Sequence, residues 1–159
     1  MDPDDAPQML EAHELALEGE PTDHLALTWE SRRRSRLRAT TDGGREVGLF
    51  LPRGTILKRG SLLRASDGSI IGVEAAAEEV SVVTADDPAT LLRVAYHLGD
   101  HHLRTQVGPG FLRYRHDRIV DDLVRALGAQ IRSEEAPFEP ERGTKDHVHD
   151  HDHGLPGQP

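Results

Sequence analysis

The first half of the chain alternates hydrophobic and polar residues with a period of two, which is typical of β-strands. The alternation runs from Leu25 to about Ala77, through LALTWESRRRSRLRATTDGGREVGLFL, PRGTILKRGSLL and DGSIIGVEA. Asp42-Gly43-Gly44 separates two strand-like runs, and because glycine tolerates positive φ angles, this triplet predicts a hairpin turn. Residues 1–77 are therefore expected to form a β-rich N-terminal domain.

The second half adds two helix-like stretches between short strands. Asp86-Asp87-Pro88 supplies an acidic N-cap and a first-turn proline, and Gly99 is expected to end that helix. A second helix is predicted from Asp117, ending at Gly128. With VSVVTA, LRTQV, FLRY and AQIRS as strands, the order β-α-β-β-α-β predicts a ferredoxin-like domain over residues 78–136, and the fold class is α+β. The apolar faces assigned to the two helices are Leu91, Val94, Ala95 and Leu98, then Ile119, Val120, Leu123, Val124 and Leu127.

Composition limits the class of protein. Proline, glycine, glutamate and histidine dominate residues 137–159, which are predicted to form a disordered His-rich tail. No apolar run approaches the roughly 18 residues that cross a bilayer. The N-terminus, MDPDDAPQML, lacks the basic-then-apolar order of a secretory signal. We therefore expect a cytoplasmic protein without a membrane partner.

Charge is spread unevenly around a net value of −9. Residues 31–64 carry ten basic groups against two acidic ones, and RRRSRLR would place Arg32, Arg34, Arg36 and Arg38 on one face of a strand. Such a face is either simply solvated or a docking surface for an acidic protein. Nucleic acid is a disfavoured partner, because the chain has six aromatic residues in all and none in the basic strand for base stacking.

Histidine carries the candidate chemistry. The chain has ten histidines and no cysteine, so imidazole and carboxylate are the available metal ligands. In the segment DHVHDHDHG, histidine occupies every second position, as His147, His149, His151 and His153. A purification tag or a merely solvated tail is the alternative, but a tag is normally an uninterrupted run. Because each ring must be neutral to bind, such ligands exchange metal readily and lose it on acidification, which suits a protein that carries metal.

Three further histidines are candidate ligands outside the tail. His101 and His102 follow the expected helix end, and one copy of the chain supplies too few ligands there, which makes a homodimer chemically attractive. His116 lies at a helix start, where it is either a ligand or a capping or surface residue, and His97 lies beside the apolar face of the first helix. No set of rigid ligands with a general base is evident, so we expect no enzyme. Metal storage, metal sensing and metal delivery remain open.

The stretch AYHLGDHHLRTQV, residues 95–107, resembles the signature of the urease accessory protein UreE family, which are nickel metallochaperones. SRLRATTDGGREVGLFLPRGTILKRGSLL and RYRHDRIVDDLVRALG resemble other parts of that family, and the likeness spans roughly residues 25–130. The resemblance implies a peptide-binding-like N-terminal domain and a ferredoxin-like metal-binding domain. It also implies that His102 meets its symmetry mate in a homodimer, binds Ni²⁺ and receives help from tail histidines.

The resemblance further implies delivery of Ni²⁺ to the urease apoprotein through a complex with the accessory GTPase. Residue types do not select nickel, since Cu²⁺ or Zn²⁺ would compete for the same ligands. The chain departs from the family pattern at Asp100 and His101, where Asn and Arg are usual. A peripheral His-x-His site is incomplete, since Arg118 follows His116 at that spacing.

Overall fold

The computed structural model describes residues 8–143, and within that range it is an α+β protein built mostly from strands. The elements are β1 (Leu10–Ala16), β2 (Asp23–Leu27), α1 (Trp29–Arg32), β3 (Arg36–Thr40), β4 (Glu46–Phe50), β5 (Leu62–Ala65), β6 (Ile70–Ala75), β7 (Ala77–Thr84), α2 (Pro88–Asp100), β8 (Gln106–Gly108), β9 (Phe111–Arg115), α3 (Arg118–Ala126) and β10 (Gln130–Pro137). The chain divides into two compact units. Of the described residues, one unit contains residues 8–80 with Glu134–Phe138, and the other contains Ser81–Ser133 with residues 139–143.

The first unit is built on a six-stranded sheet in the order β2-β6-β5-β1-β4-β3. Alternate residues are buried in β2 and β5, whereas β4 and β6 bury several consecutive residues. The core of this unit consists of Ala12, Leu25, Leu27, Val47, Leu49, Leu51, Leu57, Leu63, Ala65, Ile71 and Val73. Strand β1 lay outside the predicted alternation, because its buried residues are two small alanines four positions apart, Ala12 and Ala16.

The predicted Asp42-Gly43-Gly44 turn is confirmed: β3 and β4 pair antiparallel on either side of it. Gly44 has φ 84°, which glycine adopts without strain. At Gly43 a side chain would meet the Asp23 carboxylate, since a Cβ there would lie 2.8 Å from Oδ2. Asp23 accepts from the Gly43 N–H at 3.0 Å and from Arg45 Nε at 3.3 Å. The turn therefore depends on a buried carboxylate from β2.

The second unit has the element order β7-α2-β8-β9-α3-β10 and a four-stranded sheet in the order β10-β7-β9-β8. Asp87 caps α2 by accepting from Thr90 N at 2.9 Å, and Pro88 occupies the first turn. The predicted apolar face of α2 is confirmed, because Val94 and Leu98 are buried. The core comprises Val83, Val94, Leu98, Leu112, Tyr114, Val124 and Ala129, with Leu91, Ala95 and Val120 packed against it.

Sequence reasoning was wrong about part of the arginine-rich stretch. Arg32 ends the short helix α1, which Thr28 caps, and the Arg32 side chain is buried with 1% exposure. Its guanidinium donates to the carbonyl oxygen of Phe138, a residue of the same unit. Because the strand begins at Arg36, Arg32 and Arg34 do not share a strand face with Arg36 and Arg38.

Two boundaries and one residue of a helix face also differ from prediction. Helix α2 continues through Gly99 to Asp100, since Gly99 keeps a helical backbone. Ile119 is 82% exposed because α3 begins at Arg118 and turns its inner face to Val120 and Val124. Ordered structure also passes the predicted start of the tail, since β10 includes Pro137 and Phe138 is fully buried.

We predict that Asp23→Asn lowers the free energy of unfolding by about 1–2 kcal/mol at neutral pH, because the hydrogen bonds to an ionised acceptor weaken. Hydrogen bonds from Thr41, Gly43, His24 and Arg45 lower the pKa of Asp23 from 3.8 to about 2. A lowered pKa stabilises the fold above pH 3.8, and that stabilisation is lost as the pH falls through about 2.

The measurement is urea unfolding of parent and variant between neutral pH and pH 2, followed by circular dichroism. The difference in unfolding free energy should be constant above the ordinary carboxyl pKa and should shrink below it. Asp122→Asn is the matched control, since Asp122 is exposed and forms only a surface ion pair with Arg125. Equal stability of the Asp23→Asn variant and the parent at pH 7 would contradict the assignment.

Candidate metal site

His102 lies at the C-terminal end of α2 in a left-handed backbone conformation, with φ 55°. Hydrogen bonds fix the helix end, since His102 N donates to Gly99 O and Leu103 N donates to Leu98 O, each at 3.0 Å. This pattern is typical of a helix end at which glycine is normally the left-handed residue. A histidine in this position carries backbone strain, and its exposed side chain is directed by that fixed turn.

His101 immediately precedes this position and is also exposed. It is the C-cap of α2, with φ −76° and ψ 4°, and its N–H bonds to His97 O. His97 is half-buried, and its ring meets the Tyr96 ring edge-on at 5.6 Å between centroids. The structure thus presents two adjacent, accessible imidazoles at the end of one helix.

His102 lines a cleft of about 690 Å³ within the second unit. The rest of its wall comes from the end of α2, the following loop and the segment after β10: Ala95, Gly99, Leu103, Arg104, Thr105, Val107, Glu141, Arg142 and Gly143. Glu141 N donates to Thr105 O at 2.8 Å, and Glu139 N donates to Gln106 Oε1 at 3.0 Å. These bonds hold the segment after β10 against the loop beside His102.

An apolar surface on α2 ends at this cleft. Leu92 and Tyr96 are one helical turn apart and are 71% and 70% exposed. Gly99 continues the same face, and a side chain there would meet nothing within 4 Å. Val107, which lines the cleft, is 55% exposed. A cluster of large apolar side chains on an exposed surface usually marks an interaction site, whereas a single exposed apolar residue does not.

His116 lies in a polar network around the buried carboxylate of Asp121. Asp121 Oδ1 accepts from Ser81 Oγ at 2.7 Å and from the Tyr114 hydroxyl at 2.6 Å. His116 Nδ1 lies 3.2 Å from Ser81 Oγ and 3.3 Å from Asp121 Oδ2. Because the single Ser81 proton is directed at Asp121, Nδ1 must carry the proton and donate.

The Tyr114 phenol stays protonated in this network. Burial is the main cause, and the hydrogen bond to Asp121 adds to it, so the pKa of Tyr114 rises well above its usual range. Ser81, Tyr114 and Asp121 were not predicted from the sequence as residues of a site. Asp121 gives the one usable signal, since it is an acidic residue on the inner face of α3.

The candidate ligands come together only in part. His101 and His102 are adjacent, whereas within residues 8–143 of one chain no three histidine, aspartate or glutamate side chains are grouped as a metal site. His147, His149, His151 and His153 lie outside the described residues. Across the described range, no helix is both long enough and apolar enough to span a membrane.

Comparison with known proteins confirms the resemblance inferred from the sequence. Residues 7–76 match the family model described as UreE urease accessory protein, N-terminal domain, and residues 78–158 match the one described as its C-terminal domain. The Urease accessory protein UreE of Alkalilimnicola ehrlichii is 51% identical over 136 residues, covering 85% of this chain and 83% of the relative.

Two further relatives with the same name show similar agreement. The protein of Teredinibacter turnerae is 46% identical over 138 residues, which is 85% of this chain and 90% of the relative. The protein of Proteus mirabilis is 45% identical over 132 residues, which is 83% of this chain and 82% of the relative. The matches cover both units, and this chain belongs to the UreE family of urease accessory proteins.

Proposed function

We propose that this protein is a nickel-binding metallochaperone that delivers Ni²⁺ during assembly of the urease active site. The observation that carries the proposal is the exposed, left-handed His102 at the end of α2 in a member of the urease accessory family. A strained backbone at a histidine is best explained by a role for its side chain. Nickel is the cargo, and the protein is not an enzyme in this role.

The ligand set is completed from outside the described part of one chain. Imidazole is a good ligand for Ni²⁺, and a stable site needs more than the adjacent pair His101 and His102. A second copy of the chain would double that pair, with His102 of each subunit at the twofold axis. Imidazoles without thiolates bind such ions weakly enough to release them to a partner.

The position of Gly143 supports a role for the tail histidines. Gly143 lines the cleft that contains His102, so the tail leaves the described structure beside the proposed site. The covalent chain length allows His147 to reach about 14 Å from Gly143 and His153 about 35 Å. All four tail histidines are therefore tethered near the site, which raises their effective concentration there.

The apolar face of α2 supports a homodimer. Leu92, Tyr96 and Gly99 lie on one side of the helix that ends at His102. Pairing two such faces would remove two large exposed side chains per subunit from water. The same pairing would bring the two helix ends, and with them the two His102 side chains, toward the symmetry axis.

We propose the second unit as a ferredoxin-like domain, an assignment supported by its β-α-β-β-α-β element order.

His116 is proposed as an accessory ligand outside this shared site. Its Nδ1 donates within the Asp121 network, so coordination would use Nε2. A ligating histidine whose other ring nitrogen donates to a carboxylate is a common arrangement in metal sites.

Delivery of the ion would involve the urease apoprotein and the accessory GTPase in the cytoplasm. Cu²⁺ or Zn²⁺ would compete with Ni²⁺ for the same donors.

Nickel titration by calorimetry tests the ligand assignment. We expect the full chain to bind more nickel than a chain ending at Gly143, because the tail supplies extra imidazoles. The shortened chain should keep one site per dimer, and His102→Ala in the shortened chain should remove it. A His116→Ala chain should keep the shared site.

His13→Ala is the matched control for that experiment, since His13 is exposed but lies in the first unit, beside Glu11 and Phe50. Its nickel binding should equal that of the parent. The proposed ligand role fails when His102→Ala in the shortened chain binds nickel with the stoichiometry and affinity of its parent.

A stability measurement tests the role of His102 without metal. His102→Gly should raise the free energy of unfolding by about 1 kcal/mol, because glycine adopts the left-handed conformation without strain. The same change should abolish the shared nickel site. His101→Gly should instead destabilise the protein slightly, since His101 has a negative φ of −76° that histidine adopts without strain. Urea unfolding of both apo variants provides the comparison, and a less stable His102→Gly chain would contradict this account.

Sedimentation velocity tests the dimer. Tyr96→Glu places a charge on the exposed apolar face of α2 and should convert the dimer to a monomer, because burying an unpaired carboxylate is costly. Ile119→Glu is the matched control, since Ile119 on α3 is even more exposed than Tyr96 and lies on neither α2 nor the cleft wall. A Tyr96→Glu chain that sediments as the parent does would exclude this face as the interface.

A further inference from the structure

His97 and His101 lie one helical turn apart at the C-terminal end of α2. His101 N donates to His97 O at 3.0 Å, which is the i→i−4 hydrogen bond of an α-helix, so the regular turn extends as far as His101. The φ of −76° at His101 keeps its Cβ in line with the helix. Residues with this spacing lie on one face with Cβ atoms about 5–6 Å apart, so the two imidazoles can turn toward one another.

His102 does not continue this row, although it is the next residue. Its N–H bonds to Gly99 O, and its left-handed φ of 55° turns the chain out of the helix. His102 lines the cleft, whereas neither His97 nor His101 belongs to the cleft wall. Two histidines that are adjacent in sequence therefore have different neighbours: His101 is aligned with His97, and His102 is beside the cleft.

The pair His97 and His101 lies on a flank of α2 away from the apolar surface of that helix. Successive helical residues are 100° apart, so His97 is about 100° and His101 about 140° around the axis from Tyr96. His101 is exposed and His97 is half-buried. The dimer contact proposed through Tyr96 would therefore leave this flank open to solvent.

Both rings have nitrogen atoms available for a ligand. The His97 ring meets the edge of the Tyr96 ring, and within residues 8–143 no side-chain hydrogen bond engages the His97 or His101 ring. The ring of His116 differs, because its Nδ1 is held by Ser81 and Asp121. Neutral imidazole nitrogens are ligands for Ni²⁺, Cu²⁺ and Zn²⁺.

The charges around the pair favour a bound cation. Helix α2 has 13 residues, and its C-terminal carbonyl groups form the negative end of the helix dipole. Asp100 precedes His101, is exposed and adds a carboxylate within the same turn. Arg93 is the nearest cation in sequence, one turn before His97, and helical side chains lean toward the N-terminus, so its guanidinium is directed away from the pair.

We infer that His97 and His101 of each chain bind a divalent transition-metal ion at a second site, separate from the shared site at His102. The two rings would fill two coordination positions and water the others, since no three donor side chains are grouped within residues 8–143. Paired histidines at this helical spacing also hold zinc in metalloproteases. Arginine is usual at position 101 in the family pattern, so the pair is a feature of this chain.

The role of the second site rests on the proposed function, whereas its existence does not. Two imidazoles with water ligands would exchange Ni²⁺ readily. The Cα atoms of His101 and His102 are about 3.8 Å apart, as in any trans peptide, so an ion that leaves the pair is already beside the shared site. The second site would therefore collect the ion before the two subunits and the tail hold it.

Calorimetric titration with Ni²⁺ tests the site in a chain of full length without tail imidazoles, called here the background chain. It carries His147→Asn, His149→Asn, His151→Asn and His153→Asn. We expect it to bind one ion per dimer at the shared site and one further ion per chain. His97→Ala or His101→Ala should remove the further ions, and His102→Ala should remove the shared ion but keep the further ones.

A displaced pair provides the matched control. In the background chain with His101→Ala, Arg93→His places an imidazole one turn before His97 and should restore one further ion per chain. Arg125→His in the same chain adds a histidine on the exposed side of α3 with no histidine one turn away, and it should restore none. Asp100→Asn should weaken the second site about threefold, because it removes a nearby negative charge.

Three results would overturn the inference. One is the parent's nickel stoichiometry in the His97→Ala chain, and another is equal restoration by Arg93→His and Arg125→His. The third is loss of every bound ion in the His102→Ala chain, which would leave no separate site. The proposed function is tested independently, because it fails when His102→Ala retains the shared ion, whatever happens at His97.

Discussion

The left-handed backbone at His102 is the constraint on which the proposed metal chemistry depends. Helix α2 is anchored at its start by Asp87 and buried along its inner face by Val94 and Leu98. Its end is then closed by the hydrogen bonds of His102 N and Leu103 N to the last turn. A rigid helix therefore delivers an exposed imidazole at a defined place, and the chain accepts backbone strain where glycine would be more stable.

The shortage of ligands explains why such a protein would act as a carrier. Within the described part of one chain, His101 and His102 are adjacent, but no three donor side chains meet. A preorganised set of three or four ligands in one subunit would hold its metal with little need of a partner. In the proposed site, ligands shared between subunits and a tethered tail would instead give a binding strength that depends on assembly and can change during delivery. Donor type does not select nickel, so in this proposal selectivity would come from the geometry of the shared site and from metal supply.

Short sequence signals correctly predicted those helix starts and turns that are determined by residues adjacent in the chain. Asp87 and Pro88 located the start of α2, and the Asp42-Gly43-Gly44 triplet located the β3–β4 turn. Errors arose where distant residues decide the structure. Arg32 is buried because its guanidinium reaches a carbonyl 106 residues away, and no periodicity encodes that contact. Phe138 is buried for the same kind of reason, although its neighbours in sequence are polar.

In the candidate site, too, local sequence predicted some features and distant residues decided others. His102 was identified from a motif, while its left-handed backbone was not, since the helix end depends on hydrogen bonds that run past Gly99. His116 was identified as a possible ligand, but the network of Ser81, Tyr114 and Asp121 joins three different elements. That network gives His116 a structural role that is complete without metal. A motif therefore finds the imidazoles, and the fold decides how each one is held, His102 by the hydrogen bonds of a helix end and His116 by a buried carboxylate.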